Sequence, residues 1–294
     1  MNGLLVVDKP SGMTSHDVVN RVRRITNERS VGHIGTLDPM ATGVLPLVLG
    51  KLTRLAQFYT GSDKTYEGEI RLGFATDTYD AEGETCGPVC STVKVSLEDI
   101  GAVAREFTGR INQLPPPFSA KKIAGVAAYK LARNKKDVNL DPVEIDIRRF
   151  DIYSVNEDRV AFGADVSSGT YIRSLAHDMG KRLGLGAHLS SLRRTKAGEF
   201  GVADAHSLEE LEAAVKAGNL ESLLVHPRRL LPDMPCVTAT EETAAMIRNG
   251  RAVNLPEMSR ARQVKVFRGQ RELVAIATRI AGTLFHPKVV FAAE

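Results

Sequence analysis

Residues 31–50, VGHIGTLDPMATGVLPLVLG, constrain the fold more than any other stretch of the chain. The apolar run from Val44 to Leu49 predicts a buried strand, and the segment before it carries three glycines and a single acid, Asp38. Pro39 disfavours the helical region for Asp38, and glycines allow sharp bends or a close approach of the backbone to a ligand. The stretch therefore predicts a stiff loop that presents one carboxylate beside a buried strand.

Asp38 itself has two interpretations. An Asp–Pro pair commonly forms a turn in which the side chain binds its own backbone, and on these residues alone we favour that turn. The alternative is a catalytic carboxylate held in place by the rigid loop.

Five other stretches carry further patterns: GLLVVDKPSGMTSHDVV (3–19), KTYEGEIRLG (64–73), LPPPFSAKKIAGVAAYKLAR (114–133), SSGTYIRSLAHDMG (167–180) and HLSSLRRTKAGEF (188–200). Together with GHIGTLDPMATGVLPL (32–47), they resemble the motifs of the bacterial tRNA pseudouridine synthase B family, in that family's order. The resemblance is close over about the first 230 residues and looser after them. In the family the motif aspartate is essential, so the resemblance favours the catalytic interpretation of Asp38.

The resemblance implies an α+β fold, in which a large mixed, mainly antiparallel sheet is flanked by helices and contains a central cleft. It implies a catalytic domain over residues 1–230, with an RNA-gripping insertion at about 114–136, and a small PUA-like RNA-binding domain over residues 231–294. Short apolar runs at 264–267, 273–277 and 289–291, separated by glycine and basic residues, also predict a β-rich terminal region.

The activity implied by the resemblance is conversion of the uridine at position 55, in the TΨC loop of tRNA, to pseudouridine without a guide RNA. Asp38 would act at C1' or C2' of the flipped uridine, and Arg173 of the GTYIR motif would pair with it. Tyr66 corresponds to the active-site tyrosine of the family. We favour base stacking as the contribution of Tyr66, because tyrosine is in general a weak base near neutral pH.

Further residues are expected to bind the RNA. His33 matches the residue that fills the space left by flipped bases, Leu192 matches a position that packs against the base, and Tyr171 lies beside Arg173. Basic residues would contact phosphates, which position RNA without reading its sequence. These basic residues are Lys9 and the cluster Arg193, Arg194 and Lys196.

Arg173 also stands out without the resemblance. Apolar residues at helical spacing predict an amphipathic helix over 170–183, and Arg173 lies in its first turn. The helix dipole disfavours a positive charge there, and a local rule broken at a helix start often marks a functional site. An equally good interpretation is that Arg173 is a surface arginine that projects past the end of the helix.

The remaining elements follow from local patterns. A Ser or Thr followed three residues later by an acid predicts helix starts at Thr14, Ser96 and Ser207, and we expect Asp17 and Arg21 to pair on the first of these helices. Alternation over 64–72 predicts a strand with Tyr66 on its apolar face, and 143–155 and 159–167 read as a hairpin. Residues 77–84 are acidic and predict a surface loop.

Composition limits the protein class. No apolar stretch approaches the ~18 residues that cross a bilayer, and the three cysteines are too few for a disulfide framework. We expect a cytoplasmic monomer whose partner is the T-arm of tRNA. The reaction has no redox step, and neither a Walker loop nor a dinucleotide fingerprint occurs. We therefore expect no cofactor and no metal.

Three other functions remain open at this stage. One is a tRNA-binding or tRNA-folding chaperone, and another is a guide-RNA-dependent synthase of the dyskerin type. Hydrolysis of a nucleoside is a third, although that chemistry usually needs a second positioned acid, and none lies near Asp38 in the sequence.

Overall fold

The computed structural model describes residues 1–119, 121–123, 125–128, 131, 134 and 140–291. Its α-helices are α1 (Ser15–Thr26), α2 (Leu97–Glu106), α3 (Ile172–Leu183), α4 (Leu208–Lys216) and α5 (Glu241–Arg248). Short 3₁₀ helices cover Gly50–Phe58, Val202–Asp204, Leu220–Leu223 and Pro227–Arg229. No helix among these residues is long and apolar enough to span a membrane.

One large sheet is built from ten of the described strands, all of which lie before residue 207. These strands are β1 (Gly3–Lys9), β2 (Val31–His33), β3 (Thr42–Leu49), β4 (Lys64–Leu72), β7 (Gly109–Gln113), β10 (Val143–Asn156), β11 (Arg159–Val166), β12 (Ala187–Ala197), β13 (Phe200–Gly201) and β14 (Ala205–His206). Small two-stranded sheets pair β5 (Ala75–Thr76) with β6 (Thr85–Cys86) and β8 (Lys122–Ile123) with β9 (Val126–Ala127).

The large sheet has the order β14-β1-β3-β12-β4-β11-β10-β7, with β2 on β3 and β13 on β12. Only the β1–β14 and β3–β12 pairs are parallel. The expected mixed, mainly antiparallel sheet with flanking helices is therefore confirmed. The predicted hairpin is β10–β11.

The central strands are buried on both faces, which explains the unbroken apolar runs in β1 and β3. Leu45 and Leu47 belong to the core cluster beneath the helices, whereas Val44 and Val48 belong to a second cluster on the opposite face. Both clusters are needed to cover β3, so this strand lies at the centre of the molecule.

The predicted helix starts carry capping boxes. Thr14 Oγ1 accepts a hydrogen bond from Asp17 N at 3.0 Å, and the Asp17 carboxylate accepts one from Thr14 N at 2.9 Å. Ser96 and Ser207 cap α2 and α4 in the same way. The expected Asp17–Arg21 pair is wrong, because Arg21 forms its ion pair with Glu212 of α4.

A second sheet follows in the order β15 (Cys236–Thr238), β17 (Gln263–Arg268), β18 (Glu272–Ala281), β19 (Leu284–Val290) and β16 (Val253–Asn254). It packs on the large sheet through the second core cluster, in which Val44 and Phe200 join Phe267 and Phe291. The sequence therefore ends in a β-rich region, as expected. The division of the chain at residue 231 stays a prediction.

The junction between the two sheets is held by buried polar contacts. Glu199 Oε1 accepts hydrogen bonds from Leu231 N at 2.9 Å and from the Tyr59 hydroxyl at 2.7 Å. Lys265, which is 1% exposed, donates to the carbonyls of Arg228 and Leu230. These contacts hold residues 228–231, which connect the large sheet to the second sheet, in place.

Candidate active site

The Asp38 loop runs from Ile34 to Ala41, between β2 and β3, and buried side chains hold its backbone. Lys9 Nζ donates to the carbonyl of Pro39 at 3.1 Å, and Ser15 Oγ both donates to and accepts from the backbone of Leu37. Arg194 donates to the carbonyls of Gly35 and Val44 at 3.0 and 2.8 Å. The loop is therefore rigid on both sides of Asp38, as predicted.

Gly43 fixes where this loop joins the sheet. Its φ is +100°, and a Cβ atom there would lie 2.2 Å from the carbonyl oxygen of Arg194. Arg194 and Gly43 are register partners in the parallel β12–β3 pair. Only glycine permits this approach, which brings the start of β3 against β12.

Arg173 of α3 and Asp38 of the loop form an ion pair. Arg173 Nη2 donates to Asp38 Oδ1 at 3.0 Å, and Nε lies 2.8 Å from Oδ2 without hydrogen-bond alignment. The Arg173 side chain is 6% exposed, whereas that of Asp38 is 33% exposed. The buried Arg173 guanidinium thus holds the Asp38 carboxylate, which remains accessible to a ligand.

Arg173 has further acceptors that the sequence did not reveal. Nη1 donates to the carbonyl of Thr78 at 3.0 Å and lies 3.4 Å from Asp80 Oδ2, and Nη2 donates to the carbonyl of Phe118 at 3.0 Å. Asp80 is 3% exposed and accepts a hydrogen bond from Thr78 Oγ1 at 2.6 Å. The guanidinium is therefore shared between two carboxylates.

The prediction of a surface loop at 77–84 is consequently wrong at its centre. Thr76 and Asp80 are buried, and the Tyr79 ring stacks on His177 of α3. The acids suggested solvent, but Asp80 faces a buried guanidinium, and a charged partner distant in sequence gives no local signal.

The N-terminus of α3 is anchored to the proline-rich segment. Gln113 Oε1 accepts from Tyr171 N at 2.8 Å, and Gln113 Nε2 donates to the carbonyl of Tyr171 at 3.0 Å. Ser174 Oγ donates to the carbonyl of Leu114 at 2.8 Å. Burial raises the pKa of the Tyr171 phenol. These bonds place Arg173 in the first turn of α3, where its position was predicted.

Tyr66 and Leu192 lie on the adjacent strands β4 and β12, next to the Asp38 loop. Each is 7% exposed, and both belong to the core cluster that includes Leu37. Tyr66 is the register partner of Arg194, and Leu192 that of Gly68. The structure thus places both residues on the sheet face that carries the loop.

His33 lies in β2, half-buried, with its Nδ1 atom buried and without a hydrogen-bond partner. Burial and the nearby Arg194 lower the pKa of its imidazole. The imidazole ring is therefore neutral near pH 7.

The structure does not place Lys9 where a phosphate can reach it. Lys9 is fully buried, and its ammonium donates to the carbonyls of Pro10, Met13 and Pro39. Burial lowers the pKa of Lys9 to about 8. The expected phosphate contact is therefore replaced by a structural contact with the Asp38 loop.

In the basic cluster Arg193, Arg194 and Lys196, two residues make structural contacts and one is exposed. Arg194 is fully buried beneath the loop, and Arg193 forms a two-point pair with Asp8, with contacts of 2.9 and 2.7 Å. Lys196 is exposed and stays a predicted phosphate contact. Tyr129, Lys130 and Arg133, which belong to the predicted RNA-gripping insertion at about 114–136, lie outside the described residues.

A groove of about 1620 Å³ lies elsewhere among the described residues. It runs between the two sheets and is lined by residues including Lys64, Arg149, Lys196 and Lys288. Neither Asp38 nor Arg173 lines it, so the choice of active site rests on the carboxylate–arginine geometry. Within the described ranges, no group of three or more His, Cys, Asp or Glu residues is placed to hold a metal ion.

Comparison with solved structures defines the class of this fold. The protein superposes on a chain of an H/ACA ribonucleoprotein bound to a substrate RNA containing 2'-deoxyuridine, with a TM-score of 0.73 and 25% identity. The match covers 99% of this chain and 85% of that chain. The chain therefore has the fold of a protein from an RNA-binding ribonucleoprotein, and within this fold Arg173 contacts Asp38.

Sequence comparison identifies the family. Residues 23–172 match the profile of the TruB family pseudouridylate synthase N-terminal domain, and residues 173–233 match the tRNA pseudouridylate synthase B C-terminal domain. The tRNA pseudouridine synthase B of Solibacter usitatus is 45% identical over 99% of this chain and 100% of its own length. That of Geobacter sulfurreducens is 44% identical over 85% of this chain and 82% of its own length. This chain belongs to the TruB family of pseudouridylate synthases, enzymes that isomerise uridine to pseudouridine, and the resemblance is confirmed.

Proposed function

We propose that this protein converts the uridine at position 55, in the TΨC loop of tRNA, to pseudouridine without a guide RNA. The contact between Arg173 and Asp38 carries the proposal, because it places a reachable carboxylate on a rigid loop in a pseudouridine synthase fold. Curated relatives that match almost the whole chain are named tRNA pseudouridine synthase B, which supports tRNA as the substrate. A tRNA substrate also supports a cytoplasmic location.

The reaction is an isomerisation that needs no added group. The bond between C1' and N1 breaks, the uracil turns within the site, and C1' forms a bond to C5. N1 gains a proton and C5 loses one, so atoms and electrons balance without an oxidant or a reductant.

Asp38 acts at the sugar. Cleavage of the glycosidic bond builds positive charge at C1', which a carboxylate can stabilise, trap covalently or relieve by removing a proton from C2'. Arg173 orients the carboxylate from its buried side and leaves the other side open to the sugar. A buried arginine is suited to this task because its planar fork binds a carboxylate in one orientation.

The base would be held by neighbouring side chains. Tyr66 and Leu192 are buried on neighbouring strands in the same core cluster as Leu37 of the loop, and in this proposal the tyrosine ring stacks on the uracil. Extracting a base from a stacked RNA loop costs a few kcal/mol, and stacking on an aromatic residue returns about 1–3 kcal/mol. His33 would fill the space that the flipped base leaves.

Recognition of the tRNA would rest on loop shape and phosphate contacts, as is usual for RNA. Basic residues outnumber acidic ones after residue 228, in the region of the second sheet. This excess supports a PUA-like RNA-binding role for residues 231–294. The enzyme would act as a monomer on the T-arm.

The test is pseudouridine mapping on an unmodified tRNA transcript, with wild-type protein, Asp38→Asn and Asp63→Asn. Asp63 pairs with Arg148 at the surface, shares no hydrogen bond or ion pair with Asp38 or Arg173, and is a matched control. We expect one modified T-loop uridine with wild type and Asp63→Asn, and a loss of at least about 1000-fold with Asp38→Asn.

Each other outcome identifies a different function. Binding and refolding of tRNA without conversion would indicate a chaperone, and conversion only after a guide RNA is added would indicate a dyskerin-type synthase. Release of free uracil would indicate hydrolysis. Two further acids lie near the site. Arg173 and Thr78 already occupy Asp80, whereas burial and the carboxylates of Asp80 and Asp38 raise the pKa of Glu82.

A further inference from the structure

Tyr79 lies between the two residues through which the 76–80 loop contacts Arg173. The Thr78 carbonyl accepts from Arg173 Nη1 at 3.0 Å, and Asp80 Oδ2 lies 3.4 Å from the same atom. Tyr79 itself has a φ of +67°. This region is unfavourable for a residue with a bulky side chain, so surrounding contacts must hold the backbone there.

The principal contact of this kind is a ring stack. The Tyr79 and His177 rings are 3.7 Å apart between centroids, with an angle of 11° between their planes. His177 is 8% exposed and lies on α3 one helical turn after Arg173. The same face of one helix therefore carries the guanidinium and the ring on which Tyr79 rests.

A strand fixes the other side of the loop. Leu189 N, in β12, donates to the carbonyl of Tyr79 at 3.0 Å, and Asp80 forms a bridge with Leu189. The Tyr79 backbone is thus held between β12 and α3. Tyr79 N also donates to the carbonyl of Thr76 at 3.3 Å, so the ring stack acts on a backbone that these hydrogen bonds hold in part.

We propose that the Tyr79–His177 stack is a positioning device for Arg173, and through Arg173 for Asp38. The stack holds Tyr79 at positive φ, and that conformation turns the Thr78 carbonyl and the Asp80 carboxylate toward the guanidinium. Without the stack, Tyr79 relaxes toward negative φ, and both acceptors rotate away from Arg173. Tyr79 and His177 do not touch the reacting atoms in this scheme, which rests on the proposed function.

The first test compares Tyr79→Gly with Tyr79→Phe on the tRNA transcript. Glycine provides no ring and populates positive and negative φ about equally, so nothing then selects the conformation that the stack holds, whereas phenylalanine keeps the ring and removes only the hydroxyl. We expect kcat to fall about 10–100-fold in Tyr79→Gly, with KM within about twofold, because Arg173 acts after binding. Tyr79→Phe is expected to keep kcat within about twofold.

Glu157→Gly is the matched backbone control. Glu157 is exposed in the β10–β11 turn and also has a positive φ, +55°, so the same substitution is made without a stack. His177→Leu gives a second approach, because it keeps a buried apolar side chain but cannot stack. If Tyr79→Gly does not fold, His177→Leu and Tyr79→Asn decide the question, since asparagine tolerates positive φ.

A double-mutant cycle separates positioning from simple packing. If the stack acts through Asp80, the loss in Tyr79→Gly combined with Asp80→Asn is smaller than the product of the two single losses. Multiplicative losses would overturn this route. A kcat of Tyr79→Gly equal to that of Glu157→Gly, or an equal loss in Tyr79→Phe, would overturn the proposal itself.

The same assay distinguishes failure of this inference from failure of the proposed function. If wild type and Glu157→Gly form no pseudouridine, the proposed function is wrong. If both are active and Tyr79→Gly matches them at a temperature well below its unfolding midpoint, only the positioning role is wrong.

Discussion

Arg173 contacts both carboxylate oxygens of Asp38, with Nη2 3.0 Å from Oδ1 and Nε 2.8 Å from Oδ2. The two residues are 135 positions apart in the chain. Their contact depends on a loop braced by Lys9 and Arg194 and on a helix whose first turn is tied to the 113–118 segment. Asp80 lies on the other side of the guanidinium, so both Asp80 and Asp38 orient Arg173.

Replacing Arg173 by lysine tests the value of this geometry. Lysine keeps the charge but cannot reach Asp38, Asp80 and two carbonyls at once, because its ammonium is a point donor. We expect kcat to fall about 100-fold, equivalent to roughly 3 kcal/mol of transition-state stabilisation. The free energy of unfolding should fall by about 1–3 kcal/mol, because buried acceptors lose their donors.

Arg182→Lys is the control for this substitution. Arg182 lies on the same helix but is 60% exposed and pairs with Glu106 at the surface. It should retain wild-type kcat and change stability by less than about 1 kcal/mol. An Arg173→Lys enzyme as active as Arg182→Lys would show that the two-point contact is not needed.

Lys9→Met distinguishes a structural lysine from a phosphate-binding one. Methionine fills a similar volume but removes the lysine donor from the carbonyls of Pro10, Met13 and Pro39, of which Pro39 still accepts from Gly12 N. We expect urea unfolding to show a loss of about 2–4 kcal/mol. The salt dependence of tRNA binding should be unchanged, whereas Lys196→Met should make the slope shallower by about one counterion. The opposite result would restore the sequence-based prediction for Lys9.

Two glycines at positive φ separate backbone strain from steric overlap. A Cβ atom at Gly43 meets the Arg194 carbonyl at 2.2 Å, whereas nothing lies within 4 Å of one at Gly12. Gly12→Ala should therefore cost only about 1–2 kcal/mol in unfolding free energy, from strain. Gly43→Ala should cost more than about 4 kcal/mol, because β3 and β12 must separate. Equal losses in chemical denaturation would contradict the close approach of these strands.

His177 should make stability depend on pH. Burial, with a smaller effect of Lys181, lowers the pKa of His177 to about 4, from an ordinary value of 6.5. Between these values the unfolded chain binds a proton that the folded protein does not, so stability is lost as the pH falls below 6.5.

The change is measured by urea unfolding at pH 7 and pH 4.5. His177→Phe keeps a stacked ring and removes the titration, so wild type should lose about 2 kcal/mol more than this variant over that interval. Tyr79 and Lys181 lie near the imidazole and Asp178 acts on Tyr79, and all three remain in both proteins. Parallel losses would show that His177 is not buried as a neutral group.

Local patterns predicted most of the secondary structure. Capping boxes at Thr14, Ser96 and Ser207 begin the helices where the spacing of hydroxyl and acid placed them. The alternation in β4 put Tyr66 on its buried face. These elements could be found because their signals lie within a few residues, where capping and periodicity act.

The buried charges could not be predicted in this way. Lys9, Asp80 and Arg194 are each 3% exposed or less, although charged residues are usually at the surface. Each is buried against partners brought together by strands or loops distant in the chain. The partners of Lys9 and Arg194 are backbone carbonyls. Because every residue has a carbonyl, the sequence does not show which of them will bind a buried cation.

The sequence by itself determined the elements, the glycine-flanked loop with its one carboxylate, and the family to which the chain belongs. Only the tertiary structure decided which cations face solvent, and it alone showed that Asp80 and the Tyr79–His177 stack lie behind Arg173. The reason is physical. Local structure follows from steric and hydrogen-bonding preferences of neighbouring residues, whereas the burial of a charge depends on partners supplied by the whole fold.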